Sequence, residues 1–482
     1  MAITEPLTFL FHDYETGGVD PKRDRPLQFA AIRTDEHFNI IEEPIMLYAK
    51  ICDDYIPHPK ACLITGITPQ KTLEEGVCEA EFIARIHAEM ARPGTCALGY
   101  NSIRFDDEVT RNTLYRNFFD PYAREWQNNC SRWDIIDSLR LARALRPDGI
   151  VWPTYADGSP SLRLEDLTQA NGIGHDHAHD ALSDVYATIA MAKLLKEKQP
   201  RLFDFVFQNR SKQTLQKSLD VANMKPFLHV SSRYPTNLGN LAIVAPLAYH
   251  PIQSNAVITW DLRCDPTPLL DLDVDELHRL LYSPRETSEE RVIGLKLVHL
   301  NKCPIVAPAG MLNAEEAQRY GIEGAVCRRH LSILRQAPQI QPKLKALYEI
   351  NTFVPEKDPD HMLYSGGFFS PHDRHLMDKI RQFSADELIG LQLPFQDPRL
   401  EEMLLRYKAR NYPYTLDSNE QQRWEEHRSQ RLLGPENEGC LTLTQAFDEM
   451  NRIATETELS AREMSILEDL ASYIESVYPM EF

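Results

Sequence analysis

The chain has 482 residues, 43% of them hydrophobic and 26% charged, with a formal net charge of −19. Its length predicts two to four domains, and no apolar run approaches the roughly 20 residues that cross a bilayer, which points to a soluble cytoplasmic protein with no membrane partner. Nine cysteines without any Cys-x-x-Cys spacing predict free thiols in a reducing compartment, not a disulfide framework or a zinc site.

Residues 7–13 read as an apolar strand, Phe9-Leu10-Phe11, that runs into Asp13-Tyr14-Glu15-Thr16. Strand side chains alternate faces, so Asp13 and Glu15 share one face, about 7 Å apart along the backbone. Two carboxylates so placed repel each other unless cations sit between them, and hard ions such as Mg²⁺ or Mn²⁺ prefer oxygen ligands. Further strands are predicted at 27–34, 40–50 and 95–101, and a helix near 79–91. The last of these strands ends at Asn101, and Phe105-Asp106-Asp107-Glu108 opens a helix over 105–118. Acids in a first helical turn also suit the helix dipole with no chemistry attached.

Helices near 132–145 and 162–171 follow, then Asn171-Gly172-Ile173-Gly174 breaks the chain before His175, His177 and His179. A helix over 180–197 carries Asp184. On one unbroken helix His179 and Asp184 would stand about 140° apart. With Asp180 as the cap, His179 lies just outside the N-terminus, able to reach a site, and Asp184 sits on the first turn or so. The three histidines also read as a solvated loop. A zinc cluster is disfavoured, since no cysteine lies nearby and the ligands would alternate strictly.

A charge of −19 suits a polyanionic partner poorly, but a groove needs only local positive charge. Arg104, Arg111 and Arg116 flank Asp106-Asp107-Glu108; Tyr122, Trp126, Arg132, Trp133 and Arg140 mix basic with aromatic side chains; Arg163 precedes the stretch from His175 to Asp184. Rings for stacking and guanidinium groups for phosphates are what a single strand needs. Each ring has a core alternative, and Trp133, beside Ile135 and Ile136, reads as core. Lys196–Pro200 reads as a linker. From about 200 to 350 short β-rich runs alternate with turns, interrupted by one helix near 274–282. Beyond about 353, helical spacing continues near 372–383, 396–409, 418–431, 441–454 and 460–478.

Taken together, Asp13-x-Glu15, Asn101-x-x-x-Phe105-Asp106 and His179-x-x-x-x-Asp184 resemble the three motifs of the DEDDh branch of the DnaQ-like 3′–5′ exonucleases. Phe11-His12-Asp13-Tyr14-Glu15-Thr16, Ser131-Arg132-Trp133-Asp134, Met224-Lys225-Pro226, Asn301-Lys302-Cys303-Pro304 and Tyr407-Lys408-Ala409-Arg410-Asn411 are similar to the bacterial exonuclease I family within it, and the likeness runs almost end to end. This resemblance implies an α/β fold class: a ribonuclease H-like exonuclease domain with a mixed sheet over 1–198, a β-rich SH3-like barrel domain over 199–352, and an all-helical domain over 353–482. It implies that Asp13, Glu15, Asp106 and Asp184 hold two Mg²⁺ ions (Mn²⁺ as substitute) and that His179 is the general base. Asp106 is preferred to Asp107 because the family's ligand directly follows the Phe.

The implied activity is processive 3′-to-5′ hydrolysis of single-stranded DNA to nucleoside 5′-monophosphates, in repair, recombination and mismatch correction. Substrate contacts are expected from Glu15, Arg163, Arg111, Tyr122, Trp126 and Arg140. By resemblance they are also expected along a confined channel from Phe205, Lys212, Asn255, Asn301 and Tyr364. The family also implies a monomer that meets the acidic C-terminal tail of single-stranded DNA-binding protein, for which Arg146, Lys225 and Arg335 are the candidates. A 3′–5′ exoribonuclease would share the same motifs, and a non-catalytic single-strand-binding scaffold would have lost some of them.

Overall fold

In the computed structural model, residues 6–175, 180–282, 293–350, 355–434 and 439–479 are described. The strand β1 (Thr8–Thr16) alternates as its sequence dictates. Leu10 and Tyr14 enter a core with Phe29, Phe82, Ile83, Val109 and Leu114. Phe9 and Phe11 meet Phe38 edge-on at 5.0 and 5.3 Å between ring centroids. The period of two carries that second face on to Asp13 and Glu15.

β2 (Pro26–Thr34) pairs antiparallel with β1, setting Asp13 opposite Ala30 and Glu15 opposite Gln28, and β3 (Ile45–Tyr48) extends it. β4 (Thr95–Gly99) runs parallel to β1, with Phe11 opposite Leu98. With β5 (Ser131–Asp134) the order is β3-β2-β1-β4-β5, a mixed sheet.

Local differences from the sequence reading have local causes. The strand expected over 40–50 is confined to Ile45–Tyr48, and Ile40 and Ile41 are exposed. The helix expected over 132–145 begins at Ile136. Its first residues form β5, where Trp133 is buried, and the Asp134 carboxylate accepts the Ile136 N–H at 3.0 Å to turn the chain into the helix. Two unanticipated helices, Pro59–Thr65 and Pro69–Glu75, are too short to show a period. Each carries its signature at its ends, a His58 or Thr68 cap, proline at the first position and glycine after the last.

The chain gathers into two compact units. One comprises Met1–Arg132, His175–Ile189 and Val354–Phe482; the other comprises Trp133–Gly174 and Ala190–Phe353. In the first, C-terminal helices share a core with the N-terminal region: Leu443, Met450, Leu467, Leu470 and Ile474 pack with Leu27, Tyr55, Ile56 and Ile67. Met377, Ile380, Leu400, Met403 and Tyr407 pack with Tyr115 and Phe118. The Tyr473 hydroxyl donates toward the carbonyls of Cys52 and Tyr55, at 2.8 and 3.0 Å.

A buried ionic network crosses the same unit. Arg410 reaches Asp54 and Asp360, each at 2.7 Å, and Arg406 reaches Asp360 at 3.1 Å. Arg25 and Arg116 meet Glu79 at 3.3 and 3.1 Å.

The second unit holds an antiparallel sheet of β6 (Phe227–Val230), β7 (Leu241–Tyr249), β8 (Ala256–Asp261), β9 (Leu295–His299) and β10 (Ile305–Pro308), in the order β10-β6-β7-β8-β9. Phe227, Ala242, Val244, Val257, Val298 and Val306 form its core. The helix expected near 274–282 is present as Val274–Tyr282, but it is not alone. Pro200–Gln208 starts directly at the expected linker, with proline at its first position. Ala314–Arg319, Gly324–Arg335 and Ile340–Glu349 close the segment, the first fixed by a capping box of Asn313 with Glu316. Among the described residues no helix is long and apolar enough to cross a membrane.

Candidate active site

β4 pairs with β1 only as far as Leu98 opposite Phe11. Beyond that point the chain turns into the helix Asp106–Arg116, and its first residue supplies what the strand no longer does: the Asp106 carboxylate accepts the Tyr14 N–H at 3.1 Å. Asp106 is thereby fixed against the backbone between Asp13 and Glu15. From further along the chain, the helix Ala181–Lys198 brings Asp184 on its first turn. One carboxylate oxygen from each of Asp13, Glu15 and Asp184 lies within 4.8 Å of the others.

Electrostatics follow from this crowding. Burial, then the charges of Asp106, Glu15 and Asp184, push the Asp13 carboxyl well above the usual carboxylate range. Burial, then Asp184, Asp106 and Asp180, push Glu15 up to about 9. Asp107 behaves oppositely although it is adjacent to Asp106. Burial would raise it, but Arg124 at 2.6 Å and Arg132 at 2.8 Å hold it far below its ordinary value.

Asp180 caps the Ala181–Lys198 helix, accepting the Ser183 N–H at 3.3 Å, and the Gln28 amide donates to it at 3.4 Å. His179, like His177, lies outside the described residues. His175 does not behave as a solvated loop residue: its side chain is 4% exposed, and Nε2 sits 2.5 Å from Asp184 Oδ1. Nothing in the spacing of the motifs singles it out.

The other expected contact residues divide between the units. In the first, Arg111 is buried and donates to Glu125, Glu108 and the Tyr364 hydroxyl, and lies over the Tyr122 ring at 5.3 Å. The exposed Tyr364 in turn donates to Glu108. Trp126, 66% exposed, stands beside a cavity of about 610 Å³ lined by Tyr115, Phe118, Phe119, Tyr122 and Phe369. Arg116 and Arg132, read from sequence as groove residues, are instead consumed by Glu79 and by Asp107 with Glu125; composition shows charges but not their pairing.

In the second unit Arg140 pairs with Asp137 at 2.5 Å, and the exposed Arg163 faces Glu165 at 3.6 Å. Lys212 donates to Asn255, and Phe205 and Asn301 are half-buried. Trp133 is core, as expected. Arg335 donates to the Asn223 carbonyl beside the exposed Lys225, whereas Arg146 meets Glu316 at 3.1 Å.

Comparison with known proteins covers the chain in three consecutive blocks. Residues 10–192 match the family described as Exonuclease, residues 210–350 the exonuclease I SH3-like domain, and residues 357–477 the exonuclease I C-terminal domain. Exodeoxyribonuclease I of Escherichia coli strain K12 is 50% identical over 472 residues, 98% of each chain. The crystal structure of E. coli exonuclease I in complex with a dA16 oligonucleotide superposes with a TM-score of 0.93 at 50% identity, covering 98% of this chain and 100% of that one. A zinc-bound form of the E. coli enzyme with single-stranded DNA gives a TM-score of 0.93 at 49% identity, with the same coverage.

Proposed function

Since this chain belongs to the exonuclease I family, we propose that it is a divalent-metal-dependent exonuclease that removes nucleoside 5′-monophosphates processively from the 3′ end of single-stranded DNA. The observation that carries this reading is the convergence of Asp13, Glu15 and Asp184, with Asp106 hydrogen-bonded between the first two. The donor set fits a metal. Carboxylates gathered in a largely buried spot, two of them driven toward protonation by burial and then by their acidic neighbours, are stabilised as anions by hard cations among them. In this reading Asp13, Glu15, Asp106 and Asp184 would hold two Mg²⁺ ions, which when bound stabilise charge on the attacking and leaving oxygens of a phosphodiester.

The chain's own part is positional. The Tyr14 N–H holds Asp106, and the Asp180 cap fixes the end of the helix that carries Asp184. His179, directly before that cap in sequence, would accept the proton of the attacking water; an imidazole suits this near neutrality. Glu15 would also touch the terminal nucleotide. Tyr122, Trp126 and Tyr364 would stack on bases and Arg163 and Arg140 would meet phosphates, with Arg111 fixing the Tyr122 and Tyr364 rings. Phe205, Lys212, Asn255 and Asn301 of the second unit would also contact the substrate. Oligonucleotide-bound relatives of nearly the whole chain support single-stranded DNA as the substrate. The acidic tail of single-stranded DNA-binding protein would be gripped by Arg146, Lys225 and Arg335, placing a monomeric enzyme in repair, recombination and mismatch correction.

Digestion of a 5′-labelled single strand tests the activity. A ladder shortening to mononucleotides should appear with Mg²⁺ and vanish in EDTA, while a blunt duplex resists. Internal cuts, or cleavage in EDTA, would overturn the proposal.

Paired variants test the ligand assignment. Asp106→Asn should lose turnover by several orders of magnitude while its melting temperature in EDTA stays similar or rises. Asp107→Asn leaves Arg124 and Arg132 buried without their anion, and should cost about 3–5 kcal/mol of stability. Chemical denaturation beside initial-rate measurement separates the two, and the reverse pattern would reassign the ligand.

A further inference from the structure

A metal-binding carboxylate on a helix works only if its side chain is held in the binding rotamer. The clustered acids are held differently: Asp13 and Glu15 project from the strand β1, and Asp106 is tied to the Tyr14 N–H. Asp184 stands on a first helical turn, and repulsion from three other carboxylates favours its swinging out toward water. His175 opposes that swing. It lies nine residues earlier, on the far side of the helix start, and its imidazole is buried against Asp184 with Nε2 at 2.5 Å from Oδ1.

We infer that His175 is a positioning residue for Asp184: by fixing one carboxylate oxygen it leaves the other directed at Asp13 and Glu15, and so strengthens divalent-metal binding. This inference rests on the metal-site reading above. A carboxylate has two oxygens and about four lone-pair sites, so one hydrogen bond does not exhaust it. Residues that orient metal ligands from outside the coordination shell are worth 10–100-fold in affinity. Asp180 does not fill the role, since its own oxygens face Gln28 and the Ser183 N–H. The opposite effect is the sharp alternative: an imidazole that competes with the metal for Asp184 would weaken binding.

Titration of the full-length protein with Mn²⁺ alone, followed by electron paramagnetic resonance without DNA, distinguishes these. His175→Ala should weaken Mn²⁺ binding about 10–100-fold. His175→Gln, whose amide can donate from nearly the Nε2 position, should return it to within a few-fold of the parent. Turnover at saturating Mn²⁺ and KM for an oligonucleotide should change little in either variant. A merely structural histidine would move the melting temperature and leave the titration alone; that result, or tighter binding in His175→Ala, overturns the inference. Should the unmodified protein itself bind no Mn²⁺ in a manner sensitive to Asp184→Asn, the metal-site reading falls and this inference with it. Normal binding that ignores His175 removes only the inference.

Discussion

Glu15→Gln should melt at a higher temperature than the unmodified chain in EDTA at pH 8, and should be inactive as a nuclease. Folding pushes Glu15 up to about 9, through burial and then Asp184 and Asp106, and drives Asp13 upward as well. A carboxyl whose folded pKa exceeds its unfolded value contributes stability that is complete below the unfolded value and is lost as pH rises through the folded one. For Glu15 that window runs from about 4.5 to about 9. The metal-free protein should therefore weaken steadily across it, and an uncharged isostere should remove part of the loss. At about 2–4 °C per kcal/mol for domains of this size, the gain should be several degrees.

Mg²⁺ should restore the unmodified chain by mass action, about 2.7 kcal/mol at a hundredfold excess over Kd, and should do little for the variant. Melting curves at pH 5, 7 and 9, with EDTA and with Mg²⁺, measure all of this. A variant that melts lower in EDTA at pH 8, or gains as much from Mg²⁺, would show that the cluster is not held against its own repulsion.

Asp360→Asn should do the reverse, with a loss on the order of 10 °C and no direct effect on the reacting groups. Asp360 sits within reach of Arg410, Arg406 and Arg25, all buried, and neutralising it leaves three guanidinium groups short of an anion. Removing one partner of such a network costs about 3–5 kcal/mol, because the survivors keep their desolvation penalty. The network also sets the acid limit. Burial alone would raise Glu79, but Arg116 and Arg25 hold it at about 2, and guanidinium groups likewise hold Asp54 and Asp360 low.

A depressed carboxyl stabilises above its unfolded value, and that stability disappears as pH falls through the folded one. For Glu79 this places the loss between about 4.5 and 2. With the acidic cluster acting on the alkaline side, the metal-free protein should be most stable in mildly acidic solution. A stability profile flat from about pH 2 to 9 in EDTA would contradict both halves.

Much of the site was legible because two of its parts obey short-range rules. Asp13 and Glu15 share a face by strand alternation, and Asp180 announces itself as a cap before a helical period. The choice of Asp106 over Asp107 came only from the family's Phe-Asp order. In the structure the two acids have different partners: successive helical residues point about 100° apart, so Asp106 meets the β1 backbone and Asp107 meets Arg124 and Arg132. His175 reads from sequence as one of three solvated histidines because its nine-residue separation from Asp184 follows no strand or helix period. Arg116 and Arg132 were misread as groove residues because sequence shows a charge and hides its counter-ion.

The C-terminal helices were visible in their spacing, but not the surface they cover. Leu27, Tyr55 and Ile67 lie some four hundred positions away from Leu467 and Ile474, and such pairings leave no local trace. Of the helices of residues 314–349, only Ala314–Arg319 is too short to show a period; Gly324–Arg335 and Ile340–Glu349 are at least as long as Val274–Tyr282 and are absorbed into the β-rich reading of the segment around them.

That distance has a consequence for how the protein comes into being. The helix Ala461–Ser476 completes the core beneath Tyr55, and the His58 N–H in the same segment holds the Gly17 carbonyl at 2.6 Å, two residues beyond Glu15. At about 5–20 residues per second, a ribosome needs roughly 20–80 s to travel the roughly 400 codons between Tyr55 and that helix. Through this interval the nascent N-terminal region has no partner for its apolar face, so it should depend on chaperones, and DNA-degrading competence should arise only when translation is nearly finished.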